Sequence, residues 1–372
     1  MSAERVCAYR MMGRNVEVRC DASKGAAILQ EELAAYPPAV ATAPPDLVVR
    51  YAPVEYAGLR FANPSVHCEM EDGFVIKGRM ATVRFRLEED RLLGVDFYPV
   101  SAKSSLMRGL RRMADIQYTS REERAGVIFH EWVAGPAAYW APDLALVHAS
   151  SFSDARGVTL IGGTGGTGKT SLALELCRRH GFRFVADDIS FVGGNGHVWP
   201  NLASPKIYAY NIEGDSELAG RLLGGRTAAD RLHWALHRRR GPAFVRRRMA
   251  PAALYDSFDR EGGPLYRYVI LVREDRPDLH ISDISPARAA EISVRVMQAE
   301  YAGFHNHLHW HAVNRAADDL PPIVSVTEVL HRWREMLARV LGQASCQLAR
   351  IPRSMEHGAF RCRMAGLLAD AG

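Results

Sequence analysis

The spacing of apolar and polar positions changes once along the chain. Up to about residue 100 it is the spacing of strands. Leu47-Val48-Val49-Arg50-Tyr51 is a short apolar run, and Glu71-Asp72-Gly73 reads as a turn feeding Phe74-Val75-Ile76. Val83-Arg84-Phe85-Arg86-Leu87 alternates strictly, the mark of a strand with one exposed face. The proline pairs Pro37-Pro38 and Pro44-Pro45 mark loops. From about Ser104 the spacing turns helical, with Leu106, Leu110 and Met113 on one face. A shorter helix starts near Glu122, and Gly135-Pro136 is expected to end it. A turn at Pro142-Asp143 precedes the strand Leu144-Ala145-Leu146-Val147, which leads to His148. The next strand carries Val158, Leu160 and Ile161, and a glycine-rich loop, a helix through Leu172 to Cys177 and the strand Phe182-Arg183-Phe184-Val185-Ala186 follow. Tyr268-Val269-Ile270-Leu271-Val272 suits a buried strand, and residues 287–302 and 326–341 carry helical patterns. No internal repeat or low-complexity tract interrupts this order. It predicts an α/β core over residues 101–372, with its ligand at the carboxyl ends of the strands, and a smaller β-rich domain over residues 1–100.

The loop between strand and helix carries the most specific chemistry. Gly163-Thr164-Gly165-Gly166-Thr167-Gly168-Lys169-Thr170 fits G-x-x-x-x-G-K-[ST] in the context that motif requires. Its glycines let successive backbone N–H groups turn toward phosphate oxygens, and the helix behind them presents its positive end. Lys169 would reach the outer phosphates and the Thr170 hydroxyl would hold Mg²⁺, with Ser171 completing the nucleotide-binding group. The same residues also satisfy G-x-G-x-x-G, the dinucleotide fingerprint. That loop has no use for a Lys-Thr pair at the helix start, whereas a triphosphate site needs both.

Asp187 and Asp188 stand directly after Phe184-Val185-Ala186. Phosphoryl transfer needs a carboxylate near Mg²⁺ and often another to accept the proton of an attacking hydroxyl. Adjacent aspartates also cap turns; the loop so close upstream favours the catalytic reading. His148 ends the strand expected before the loop strand, so its side chain can open onto the same cleft.

These segments together resemble the HPr kinase/phosphorylase family, whose core joins a strand ending in His, a phosphate loop, an A-L-E-L helix and V-A-D-D. Here they read Val147-His148, the 163–170 loop, Ser171-Leu172-Ala173-Leu174-Glu175-Leu176 and Val185-Ala186-Asp187-Asp188. The likeness spans about 40 residues. It implies a P-loop HPr-kinase-like core that moves the γ-phosphoryl group of ATP, with Mg²⁺, to a serine-type hydroxyl. In that picture Asp187 accepts the proton, Asp188 joins Thr170 at Mg²⁺ and His148 positions the transferred group, with the division between the two aspartates left open. The family's E-I-R-G-L-G-type stretch is missing; Ser204-Pro205-Lys206-Ile207-Tyr208 stands there instead. The pattern is thus closer to divergent HPr-kinase-like enzymes of biosynthetic clusters, and Lys206 reads either as a phosphate contact or as a surface lysine. A reverse phosphorylase reaction and the family's assembly are left open, as is any homo-oligomer. The alternative is a nucleotide-gated binding or regulatory protein that transfers nothing.

Composition adds bounds. At 372 residues, 48% apolar and 24% charged, the chain is an ordinary globular protein long enough for two domains. No apolar stretch reaches the length of a membrane span, and Met1-Ser2-Ala3-Glu4-Arg5 lacks the apolar core of a leader peptide. Six scattered cysteines without a C-x-x-C pair suit reduced thiols in a cytoplasm. Net charge is +5, but two triplets, Arg238-Arg239-Arg240 and Arg246-Arg247-Arg248, concentrate it. They read as a solvated connector or as a dock for an anionic acceptor, whether peptide, protein or small molecule; no recognised nucleic-acid motif accompanies them. His305, His307, His309 and His311 alternate; on a helix they give i,i+4 pairs capable of holding zinc and on a strand all four would line one side, although no acidic catalytic partner of the H-E-x-x-H kind is near. A partly buried polar patch near the acceptor pocket is the other reading.

Overall fold

A computed structural model describes residues 4–39, 44–54, 61–62, 65–100 and 104–369. The Met1-Ser2-Ala3 start, read above for a leader, lies outside these residues. The chain has a mixed α/β architecture built on two large sheets among the described residues.

The first sheet comprises β1 (Arg5–Met11), β2 (Arg14–Cys20), β3 (Leu47–Tyr51), β4 (Phe61–Ala62), β5 (His67–Met70), β6 (Gly73–Lys77), β7 (Ala81–Glu88) and β8 (Arg91–Pro99), in the order β1-β2-β3-β8-β7-β6-β5-β4. Strands β2, β3 and β8 run parallel, which requires a crossover. Helix Lys24–Leu33 supplies the first, started by the Ser23 hydroxyl accepting the Ala26 N–H. In β7 the alternation holds: Val83, Phe85 and Leu87 are buried, while Arg84 pairs with Asp72 and Arg86 with Asp96.

Residues 105–140 depart from expectation twice. Helix Ser105–Ala114 forms, but Leu106 and Leu110 on its apolar face are 72% and 55% exposed. Its end, not that face, meets the protein, through His237 at the Met113 carbonyl and His233 at the Asp115 carbonyl. The second helix does not stop at Gly135-Pro136. It runs as α-helix over Arg124–Ile128, widens to a π-helix over Phe129–Ala134, and continues through Gly135–Ala137 and Ala138–Trp140. The Gly135 N–H reaches back five residues to the His130 carbonyl. This shift leaves Pro136 in the first turn of the next segment, where neither its ring nor its missing N–H interrupts a bond.

The second sheet contains β9 (Leu144–Val147), β10 (Ala149–Asp154), β11 (Gly157–Gly162), β12 (Arg183–Ala186), β13 (Ser190–Gly193) and β14 (His197–Trp199). A small ribbon of β15 (Lys206–Tyr208) and β16 (Arg246–Arg248) follows, before β17 (Gly263–Glu274), β18 (His280–Asp283) and β19 (Ser345–Pro352) return to the sheet. Its order is β12-β10-β11-β17-β14-β13-β9, with β19 parallel to β17 and β18 at the β19 edge. Strand β10 is absent from the sequence reading. It separates His148 from the loop strand and holds β12 two places from β11. Its serines are buried because partners satisfy them: Ser150 donates to Asp187, Ser153 to Asp259, and Ser190 to Ser151.

Most buried apolar side chains of the two sheets form one contiguous cluster, with Cys68, Met70 and Val75 of β5 and β6 in a smaller one. Helix Lys24–Leu33 and the turn after it join them through polar bonds as well. The Tyr36 hydroxyl accepts the Leu202 N–H at 2.7 Å, and Glu32 pairs with Arg248. Among the described residues, no helix is long and apolar enough to cross a membrane.

Candidate functional site

Strand β11 lies between β10 and β17, buried from Val158 onward, and delivers the glycine-rich loop to the carboxyl end of β17. Two glycines are required there. A Cβ on Gly163 (φ +134°) would sit 2.5 Å from the Leu271 carbonyl oxygen, and one on Gly168 (φ +110°) would sit 2.4 Å from the Phe360 ring. Helix Lys169–Arg179 then starts with its unpaired amides turned toward the loop. Lys169 is buried and its Nζ donates to the Gly163 and Thr164 carbonyls at 2.8 and 2.9 Å. Burial lowers its ammonium below the usual lysine value, in spite of Asp188 and Asp187 nearby. Thr167 donates to the Thr164 carbonyl, and the Ser171 hydroxyl accepts from Asn211 at 2.7 Å.

The aspartates diverge. Asp187, at the end of β12, is buried and accepts the Ser150 hydroxyl at 2.6 Å and the Thr170 hydroxyl at 2.9 Å. Burial, and then the adjacent Asp188 charge, raise its carboxyl above the usual range. Asp188 has a left-handed backbone (φ +68°), uncommon for a residue with a Cβ and a form of strain that collects at functional sites. Its half-exposed carboxylate accepts from Lys206 at 2.6 Å and lies 3.7 Å from His148 Nε2. Burial alone would raise the Asp188 carboxyl, but Lys206 and His148 outweigh it and hold the group well below the usual range. Lys206 also bonds Glu131 at 2.7 Å; burial would lower its ammonium, and the two carboxylates raise it instead.

His148, at the β9–β10 junction, is 7% exposed. Its Nδ1 lies 3.5 Å from Glu300 Oε1, and that oxygen accepts the Gly165 N–H at 2.8 Å. The loop, Thr170, both aspartates and His148 therefore come together. Lys206 belongs with them and not to the open surface. Glu131, Ser150 and Glu300 escaped sequence reasoning. Glu131 sits in the unforeseen π-helical stretch, Ser150 on the unforeseen strand, and Glu300 ends helix Pro286–Glu300, far from the loop in sequence.

Other singled-out residues do different work. Arg247 is fully buried against Asp230, Arg248 pairs with Glu32, and Arg246 donates to the Tyr208 hydroxyl. The second triplet is thus held against the protein by its own partners, with Arg247 and Arg248 in ion pairs. Arg238, Arg239 and Arg240 stay exposed at the end of helix Ala228–Arg239. The four histidines lie on helix Ala302–Ala316. His311 bonds Glu69 at 2.6 Å, His305 bonds the Tyr139 hydroxyl at 2.6 Å, and His307 stacks on His67. Among the described residues no group of three or more His, Cys, Asp or Glu could hold a metal ion.

No family model matches the sequence. No curated protein matches it either. Among solved structures, the Hpr(Ser) kinase/phosphatase from Coxiella burnetii aligns over 45% of this chain and 98% of its own, at 18% identity and a TM-score of 0.19. The similarity is distant.

Proposed function

We propose that this protein is an ATP- and Mg²⁺-dependent kinase that transfers the γ-phosphoryl group to a hydroxyl on a peptide, protein or small molecule in the cytoplasm. The observation that carries the reading is the 2.9 Å bond from Thr170 to Asp187 at the head of the loop helix, with Asp188 turned the other way toward His148 and Lys206. One carboxylate then serves the metal side and its neighbour the acceptor side. A site that only bound nucleotide would have no use for the second.

The donor set suits a nucleotide and Mg²⁺. Loop amides and Lys169 would hold the phosphates, while the hard oxygens of Thr170 and Asp187 would hold Mg²⁺. The metal, when bound, would neutralise charge on the phosphate oxygens. The resemblance pairs Thr170 with Asp188 and makes Asp187 the proton acceptor, with that division left open; we propose the reverse. Asp188 takes the hydroxyl proton as the acceptor oxygen bonds to phosphorus and the bond to the ADP leaving group breaks. Lys206 keeps Asp188 ionised, and a strong base is not needed for a loose phosphoryl transition state. His148 steadies Asp188 from the other side. Residues 1–100 would contribute to acceptor recognition as a unit beside the 101–372 core.

The test is a pair of measurements on three variants. Lys169→Ala weakens nucleotide binding and transfer together. Asp187→Asn weakens Mg²⁺-dependent nucleotide binding. Asp188→Asn binds nucleotide within threefold of wild type and loses about 10²–10⁴ in transfer rate. Near-normal turnover in Asp188→Asn would sink the assignment.

A further inference from the structure

We propose that the cavity beside Asp188 is an acceptor subsite that takes an alcohol carrying a cationic amine close to its hydroxyl. This rests on the kinase reading above. The cavity is a cleft of about 220 Å³, open on one side, so it admits a small amino alcohol or one side chain of a peptide. Trp132, Tyr301 and Phe304 form its apolar walls. Glu131, Asp188 and Glu300 also line it, with side chains between 34% and 41% exposed, against a single ammonium, Lys206. His148, more than nine-tenths buried, borders the cavity; its Nδ1 makes no hydrogen bond, and Glu300 Oε1 lies 3.5 Å from it.

Three carboxylates facing one lysine repel an anionic acceptor and attract a cation, and aromatic faces beside carboxylates are the chemistry that recognises ammonium groups. Glu131 and Asp188 are already spent on Lys206. Glu300 accepts the Gly165 N–H, a loop amide for which a nucleotide phosphate competes, and lies 3.5 Å from His148 Nδ1. Nucleotide binding therefore frees Glu300 from that amide at the cavity edge, and the order of addition is nucleotide first, cationic acceptor second. The acceptor hydroxyl then loses its proton to Asp188 as its oxygen bonds to the γ-phosphorus and ADP departs.

The experiment uses matched probes with γ-labelled ATP and Mg²⁺: 2-aminoethanol, ethylene glycol and glycolate, and short blocked peptides with serine flanked by lysine, alanine or glutamate. The cationic member of each set is expected to exceed the neutral one at least tenfold in kcat/KM. Glu300→Gln is expected to erase that preference through KM for the cationic probe. Label on the amino alcohol alone identifies a free small molecule as the source of this chemistry, and label on the lysine-flanked peptide alone identifies a chain residue. Transfer that is indifferent to charge or favours the anion overturns the subsite and leaves the kinase standing. Absence of transfer to any probe is resolved by titrating 2-aminoethanol calorimetrically into protein saturated with a non-hydrolysable ATP analogue and Mg²⁺. Binding that Glu300→Gln abolishes supports the subsite even if the kinase reading fails, and no binding overturns it.

Discussion

Lys206→Met probes the electrostatics of the site at one atom. The ammonium lies 2.6 Å from Asp188 and 2.7 Å from Glu131, and it is the main influence holding Asp188 ionised. An opposite charge at such range lowers a carboxyl pKa by about 1–3 units, so its removal returns that amount. Burial and the adjacent Asp187 then act on Asp188 with His148, 3.7 Å away, and the Lys169 ammonium left to oppose them. In the wild type Asp188 titrates well below the usual carboxylate range near 4, and no activity limb from this group falls between pH 8 and 5. The sign is fixed: a protonated Asp188 accepts no proton, so activity falls as pH falls. In Lys206→Met the acid limb is expected about 1–3 units higher, so activity at the acid end of the range falls further below the variant's own plateau than it does in the wild type. The assay is release or transfer of label from γ-labelled ATP across pH 4.5–8.5, with water as acceptor where no better one is in hand, and circular dichroism at each pH to exclude unfolding. Asp188→Asn, which has no such group, serves as control. Superimposable normalised profiles for wild type and Lys206→Met would refute the reasoning.

Other consequences concern the scaffold. Gly168→Ala places a methyl 2.4 Å from the buried Phe360 ring at φ +110° and is expected to cost about 1–3 kcal/mol in chemical unfolding, together with weaker nucleotide binding; an unchanged midpoint contradicts the loop packing. Burial pushes His130, His305 and His307 down to about 4 from an ordinary 6.5. Their folded pKa values are depressed, so the fold keeps them neutral: stability is complete above pH 6.5 and is lost as pH falls toward 4, by about 2 kcal/mol per histidine at pH 5. Equal unfolding free energies at pH 7.5 and 5 would count against this. Ser150→Ala removes a bond to Asp187 but leaves Thr170 in contact, and a fall of about tenfold in Mg²⁺ affinity with little change at saturating Mg²⁺ is the expected signature of a positioning residue.

The parts of the site readable in sequence are those whose chemistry requires a contiguous motif. A strand, a loop and a helix must follow one another to cradle phosphate, so residues 158–177 declare themselves, and Asp187-Asp188 follows within one strand. Alternation exposed β7 for the same local reason. The rest depended on context that periodicity does not carry. Strand β10 is Ala-Ser-Ser-Phe-Ser-Asp, which looks like a loop until Asp187, Asp259 and Ser190 are present to satisfy its serines. Gly135-Pro136 breaks an α-helix but not a π-to-α junction, and that junction carries Glu131 to Lys206. Glu300 meets Gly165 across 135 residues, a distance no local pattern spans. Arg247 reads as surface charge until Asp230 and His233 enclose it. The apolar stripe of helix Ser105–Ala114 fitted the helical period and still faces outward, because period reports conformation and not which face finds a partner.

The most direct test of the central claim follows the γ-phosphoryl group itself. Wild type, Asp187→Asn and Asp188→Asn are incubated with γ-labelled ATP, Mg²⁺ and a cell extract divided into peptide, protein and small-molecule fractions, with nucleotide affinity measured in parallel. The account predicts label in one hydroxyl-bearing fraction with wild type, and its loss in Asp188→Asn at preserved ATP affinity. Label that stays on ATP in every fraction despite tight binding, or transfer that survives in Asp188→Asn, would contradict it.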